Sequence, residues 1–196
     1  KTKFSHEFTH PNFVSSWLFL FKNFTMKIRL STLDDIPDIM IIIEDAKEYL
    51  ASQKIDQWQK GYPNAEQVKN DIKNRESYVV INDENQVTAT AMFTINKEPT
   101  YKIIDGNWRV DENKVYGVIH RMAIKKAFRK FGLATFMFHE FHLQLLENNI
   151  KSLKIDTHEE NIGMQSLIKK LGYQYCGIIY TGYGDKRLAF EKVISQ

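Results

Sequence analysis

Apolar residues recur along this chain with two periods, and the switches between them mark the elements. The run Val118-Ile119-His120-Arg121-Met122-Ala123-Ile124 is the pattern of a buried strand. Immediately downstream, Leu133, Met137, Phe141 and Leu145 fall on one face of a helix. A second helix follows a short strand (152–156), with Met164, Leu167, Ile168 and Leu171 at helical spacing and Gly172 placed to end it. Nearer the start, residues 27–31 form a first strand, and Thr32, Asp34 and Asp35 are candidate caps for a helix that tolerates Pro37 in its first turn. Ile36, Ile39, Met40, Ile43 and Leu50 give that helix its apolar face. Residues 55–64 are a loop, and 65–75 a mostly polar helix. Residues 78–81 and 86–94 are strands joined by Asp83-Glu84-Asn85. Residues 96–114 are polar and turn-rich, yet carry Tyr101, Ile103, Ile104 and Trp108. Residues 173–180 and 186–193 close the chain as a hairpin around Gly182 and Gly184. The sum is a mixed α/β domain with a twisted, mostly antiparallel sheet flanked by helices on both faces.

Composition narrows the function classes. A length of 196 residues suits one domain, or one domain plus an extension. A net charge of +3 argues against a dedicated nucleic-acid binder. Cys176 is the only cysteine, which excludes an intrachain disulfide and makes a reducing cytoplasm the expected compartment. Its place in a strand suits a small core residue. The apolar stretch from Phe13 to Phe21 is far shorter than the ~20 residues of a membrane span. Lys22-Asn23-Phe24-Thr25 offers no signal-peptide cleavage site. Residues 1–25 are therefore expected to be an extension outside the catalytic fold, and 26–196 a single domain. The competing expectation is an accessory helix packed on the domain or on a second copy, as in a homodimer.

The candidate chemistry starts at Arg129-Lys130-Phe131-Gly132-Leu133-Ala134, between the buried strand and its helix. A basic, Gly-containing turn that opens a helix is an anion site, because free N–H groups and the positive end of the helix dipole point at it. The chain lacks a G-x-x-x-x-G-K-[ST] loop and the three glycines of a dinucleotide fingerprint. The turn is best read as a pyrophosphate cradle, with Lys125 and Lys126 adding charge. His139-Glu140-Phe141-His142 lacks metalloprotease spacing and is expected on the solvent side of its helix; no metal is expected.

The R-x-x-G-x-A pattern resembles motif A of the GNAT superfamily of acyl-CoA-dependent N-acetyltransferases. The run from Asn161 to Tyr173, with its Lys-x-Gly-aromatic end, resembles motif B of the same family. The two stand in the family's order, and the resemblance covers residues 26–193. It implies a GNAT-like fold with acetyl-CoA as co-substrate, its pyrophosphate held by Arg129, Lys130, Phe131, Gly132, Leu133, Ala134 and Thr135. It further implies that the pantetheine arm and thioester lie along Met122, Ala123 and Ile124, and that Asn161 meets the pantetheine. Asn161 is equally suited to cap its own helix. One departure stands out. The family's proton-donating tyrosine of motif B is replaced by Ile168.

Within that frame His120 is the candidate general base, sharing a strand face with Met122 by alternation, while Arg121 points the other way. A structural histidine is the alternative. Trp58, Tyr62 and Trp108 are candidates for an aromatic acceptor wall, or for packing. His158 follows the last strand before motif B and is placed to contact substrate or to sit in a solvated loop. Tyr183, at a hairpin tip, is within sequence reach of the site. The expected function is acetyl transfer from acetyl-CoA to a primary amine of a small molecule or peptide, by direct attack in a ternary complex, with no nucleic acid or membrane as partner. A catalytically silent acyl-CoA-binding module and a dimerisation scaffold are the competing expectations.

Overall fold

The structure, a computed structural model, describes residues 25–111 and 113–194. The expectations for the extension at 1–25 lie outside the described residues, except at Thr25. Eight strands form one sheet: β1 (Lys27–Leu30), β2 (Ser77–Ile81), β3 (Val87–Thr94), β4 (Asp105–Gly106), β5 (Gly117–Ile124), β6 (Ser152–Thr157), β7 (Gln174–Tyr180) and β8 (Lys186–Val193). Four helices complete it: α1 (Ile36–Ser52), α2 (Ala65–Lys73), α3 (Leu133–Glu147) and α4 (Ile162–Lys170). The strand order is β1-β2-β3-β5-β6-β8-β7-β4. Every pair is antiparallel except β5–β6, which the α3 crossover makes parallel.

That parallel pair creates the site. It comprises only Gly117 with Leu153 and Val118 with Lys154. Beyond them β5 runs on to Ile124 and β6 to Thr157 without pairing to each other, so the sheet splits into a wedge. Each flank of the sheet has its own core. Ile39, Ile42 and Ile43 of α1 and Val68 of α2 bury against Val79, Ile81 and Val87. On the other face Phe136, Met137, Phe141 and Leu145 of α3 and Ile168 of α4 bury against Val80, Ala91, Ile119 and Ile155. Burial of each such side chain contributes about 1.5–3 kcal/mol before chain entropy is charged against it. Asp35, an expected cap, receives the Thr32 N–H at 2.7 Å and also pairs with Arg29 at 2.7 Å, tying α1 to β1.

Two expectations need correction here. The turn-rich segment 96–114 contains the edge strand β4, which pairs Asp105 with Ile178 and Gly106 with Gly177. Period and length gave no sign of a two-residue strand. It exists because Gly106 lets two backbones meet: a Cβ there would lie 2.1 Å from the Cys176 carbonyl oxygen. The run from His139 to His142 is not a solvent face either. Only His139 is well exposed; Glu140 is buried and Phe141 lies in the core. The ring of His142 sits 2.9 Å from the Tyr173 hydroxyl, and burial pushes its pKa down to about 4. Helix α3 is covered on more than one side, so its polar positions are drawn into the interior.

Candidate active site

The wedge between β5 and β6 opens into a cavity of about 500 Å³. The loop carrying Trp58 and Tyr62 lines it on one side and the β7–β8 hairpin with Tyr183 on the other. Two contacts tie that loop across the mouth. Lys60 pairs with Asp185 of the hairpin at 2.8 Å, and Gln57 accepts from the Asn161 amide at 3.0 Å.

At its inner end the cavity runs into a shallower one of about 300 Å³, sharing Ile124, Arg129 and Ala134 with it. Lys130, Gly132, Leu133 and Thr135 line this second space. Lys130 and Gly132 have φ of 70° and 78°, so the turn curls left-handed twice before α3 begins. The first N–H groups of α3 have no intrahelical partner, and that of Phe136 is the first to be satisfied, by the Gly132 carbonyl at 2.9 Å. A curled, basic turn presenting such groups fits a pyrophosphate. Arg129 is held in place rather than free: it stacks over Tyr49 at 4.9 Å and donates to the Asp45 carbonyl at 3.1 Å. Phe131 lines neither cavity and its ring packs beside Phe128 at 6.2 Å.

Strand β5 carries the other wall. Thr90 of β3 faces Ala123, but Met92 faces His120, so Arg121 and Met122 together oppose the single residue Ala91. This bulge, with Arg121 at φ 53°, interrupts strict alternation. Every residue from Ile119 to Ile124 lines the cavity, and the Arg121 side chain turns toward α2 and the loop carrying Tyr62. Arg121 pairs with Asp71 at 2.7 Å and donates to the Tyr62 hydroxyl at 2.5 Å. Burial raises the pKa of Asp71, and Arg121 opposes that rise.

His120 stands between two carboxylates. Its Nε2 is 3.1 Å from Glu98 and its Nδ1 is 3.6 Å from Asp156. Asp156 also accepts the hydroxyl of the fully buried Tyr101 at 2.7 Å. Burial pushes Glu98 up, but its hydrogen bond to His120, the charge of that ring and two bonds from Thr100 outweigh it, leaving a pKa of about 2. Asn161 does the work of a cap, accepting the Met164 N–H at 3.1 Å, while also lining the cavity.

These features agree with what the chain is similar to. The sequence matches the family model described as the acetyltransferase (GNAT) family over residues 43–173. The chain belongs to the GNAT acetyltransferases. An acetyltransferase of this family from Streptococcus agalactiae is 38% identical, with a TM-score of 0.75 over 88% of this chain and 97% of that one. A GNAT acetyltransferase from Listeria monocytogenes shares the fold at 15% identity, with a TM-score of 0.68 over 86% and 94% of the two chains. The ribosomal-protein-S18-alanine N-acetyltransferase of Escherichia coli shares it at 13% identity, with a TM-score of 0.56 over 88% and 96%. No curated protein matches the sequence significantly.

Besides Phe131, two of the residues expected in this acetyltransferase's site lie outside its cavities. Trp108 does not line the cavity: its indole donates to the Tyr101 carbonyl at 2.9 Å and its ring covers the Lys154 ammonium at 4.3 Å. His158 also lies outside the lining, its Nδ1 accepting the Glu160 N–H at 3.2 Å. Conversely, Glu98, Asp156 and Arg187 line the cavity without having been singled out. Asp156 had a signal, since it ends the strand just before motif B. Glu98 and Arg187 had none, because a turn residue and a hairpin residue are placed only by the tertiary fold. Ile168, where the family has its tyrosine, is fully buried in the core. No helix among the described residues is long and apolar enough to cross a membrane.

Proposed function

We propose that this acetyltransferase moves an acetyl group from acetyl-CoA to the primary amine of a small molecule or peptide, and that His120 takes the amine's proton. The carrying observation is that His120 faces the same cavity into which the phosphate-binding turn opens, with Glu98 and Asp156 beside its two ring nitrogens. Acetyl-CoA supplies the activated acyl group. The turn at 129–135 and the first residues of α3 hold its pyrophosphate, Met122, Ala123 and Ile124 flank its acyl end, and Asn161 contacts the arm between them.

In the reaction the amine nitrogen bonds to the acetyl carbon, the carbon–sulfur bond breaks, and the thiolate takes up a proton. The amine must be neutral to attack. His120 removes its proton, and the positive charge on the ring is received by the two carboxylates. Tyr101 keeps Asp156 in place by donating to the same carboxylate oxygen that faces His120. Because Ile168 has no proton to give, water protonates the thiolate, which is a tolerable leaving group. Trp58 and Tyr62 line the cavity on the acceptor's side, the Tyr62 ring lying under the Arg121 guanidinium at 5.8 Å. With one cysteine, buried in β7, the enzyme is suited to a reducing cytoplasm.

The test is thiol release from acetyl-CoA over a panel of primary amines, with the N-acetyl product identified by mass. Acetyl-CoA binding with no product from any amine would instead support a silent acyl-CoA-binding module.

A further inference from the structure

We infer, on the basis of the N-acetyltransferase reading above, that the acceptor is a small amine that also carries a carboxylate, and that Arg187 holds that carboxylate. Four permanently cationic side chains line the cavity: Lys60, Arg121, Arg129 and Arg187. Three are committed. Lys60 is bonded to Asp185, Arg121 to Asp71 and Tyr62, and Arg129 to backbone carbonyls beside the phosphate-binding turn. Arg187 differs. It is only 8% exposed, yet among the described residues its one hydrogen bond is from Nη1 to the Lys186 carbonyl at 2.9 Å. Its Nε stands 4.0 Å from Asp156 and its Nη2 3.7 Å from Asp185, near enough for attraction but beyond hydrogen-bond reach.

A guanidinium has five N–H donors in a planar fork that matches a carboxylate edge. Arg187 therefore brings unused, oriented donors to the cavity while little of its side chain is exposed. Its position fixes the rest of the ligand. Asp156 presents one oxygen toward Arg187 and the other toward His120 and Tyr101. The anion holder and the candidate base thus flank a single carboxylate, which places the acceptor's amine one or two carbons from its own carboxylate. Glu98 and Asp156 attract the ammonium form that arrives from solvent. The Lys60–Asp185 and Gln57–Asn161 ties across the mouth, and a volume of about 500 Å³, fit a free amino acid better than a polypeptide.

Matched acceptors test this: an amino acid, its carboxamide and its decarboxylated amine, each given to the full chain with acetyl-CoA, beside a short peptide of the same N-terminal residue. The amino acid should show a kcat/KM larger by about ten-fold or more, the size of one charge-assisted pair. Arg187→Gln should erase the preference by raising KM for the amino acid alone, leaving that for acetyl-CoA unchanged, and Arg187→Lys should keep part of it. The wild-type comparison and Arg187→Lys suffice if Arg187→Gln fails to fold. Equal rates across the set, or faster acetylation of the peptide, overturn the carboxylate assignment and leave amine acetylation standing. No acetylation of any amine overturns both.

Discussion

The two ends of the cavity are built in opposite ways. The end proposed for the phosphates comes, Leu167 apart, from one continuous stretch, residues 124–135, and its key groups are backbone N–H groups left without partners by the start of a helix. The end proposed for the acceptor draws on at least five stretches far apart in sequence, contributing Tyr62, Glu98, His120, Asp156 and Arg187; His120 stands against two carboxylates and Arg121 is paired, while Arg187 keeps donors unused. A ligand group common to all members of a family can be held by backbone, which any sequence supplies. A group that varies needs side chains, and pairing keeps those side chains oriented until substrate arrives.

Variants at each end should therefore fail differently. The largest effect is expected at His120. His120→Gln keeps a hydrogen-bonding side chain and removes the base, so kcat should fall by ~10²-fold or more with little change in acetyl-CoA affinity. The acidic limb of the pH–rate profile should shift or vanish with it. Near-full activity across pH would make His120 structural and erase the functional half of the contrast.

At the other end, Gly132→Val should act on binding and spare the chemistry. A β-branched residue at φ 78° costs on the order of 1–3 kcal/mol and places its Cβ on the turn proposed to hold the phosphates. Acetyl-CoA affinity by calorimetry should weaken by about 10- to 100-fold, while kcat at saturation stays close to wild type. Unchanged affinity in a folded variant would remove the phosphate assignment.

The smallest effect concerns stability. Glu98 has a pKa of about 2 in the folded chain against an ordinary 4.5, so it stabilises the fold above pH 4.5 and loses that contribution as pH falls through about 2. Glu98→Gln should therefore lower stability at neutral pH by about 1–2 kcal/mol, less than the full linkage value because the pair is about one-fifth exposed. Between pH 4.5 and 2 the variant's denaturation midpoint should change less than that of wild type. Parallel pH curves for the two would show that Glu98 is not held by His120.

The same contrast governs what could be read from the sequence. The helix of Leu133, Met137, Phe141 and Leu145, its basic turn, and the cap at Asn161 all announce themselves within a few residues, because periodicity and capping are local. The strand at 118–124 was legible as a strand but not as a bulged one. The bulge arises from registration against β3, which no period along β5 itself reports. Trp108 sits in a polar segment that resembles a pocket wall, yet the depth of Lys154 beneath it makes it a cover for a buried ammonium. Glu98 finds His120 only because a turn 22 residues upstream folds back over the end of β5.

The split between β5 and β6 has a mechanical side. At Gly117 and Val118 the two halves of the sheet are joined; beyond them it is two flaps, four strands on each, with no strand pairing between them. Nothing but the layers of side chains and the ties at the mouth fixes how far apart the flaps stand. A linear molecule bearing amide groups of its own would stitch them together, as an added strand stitches a torn sheet. The seam is then the compliant part of the protein, and its opening is the dimension along which a bound ligand adds stiffness.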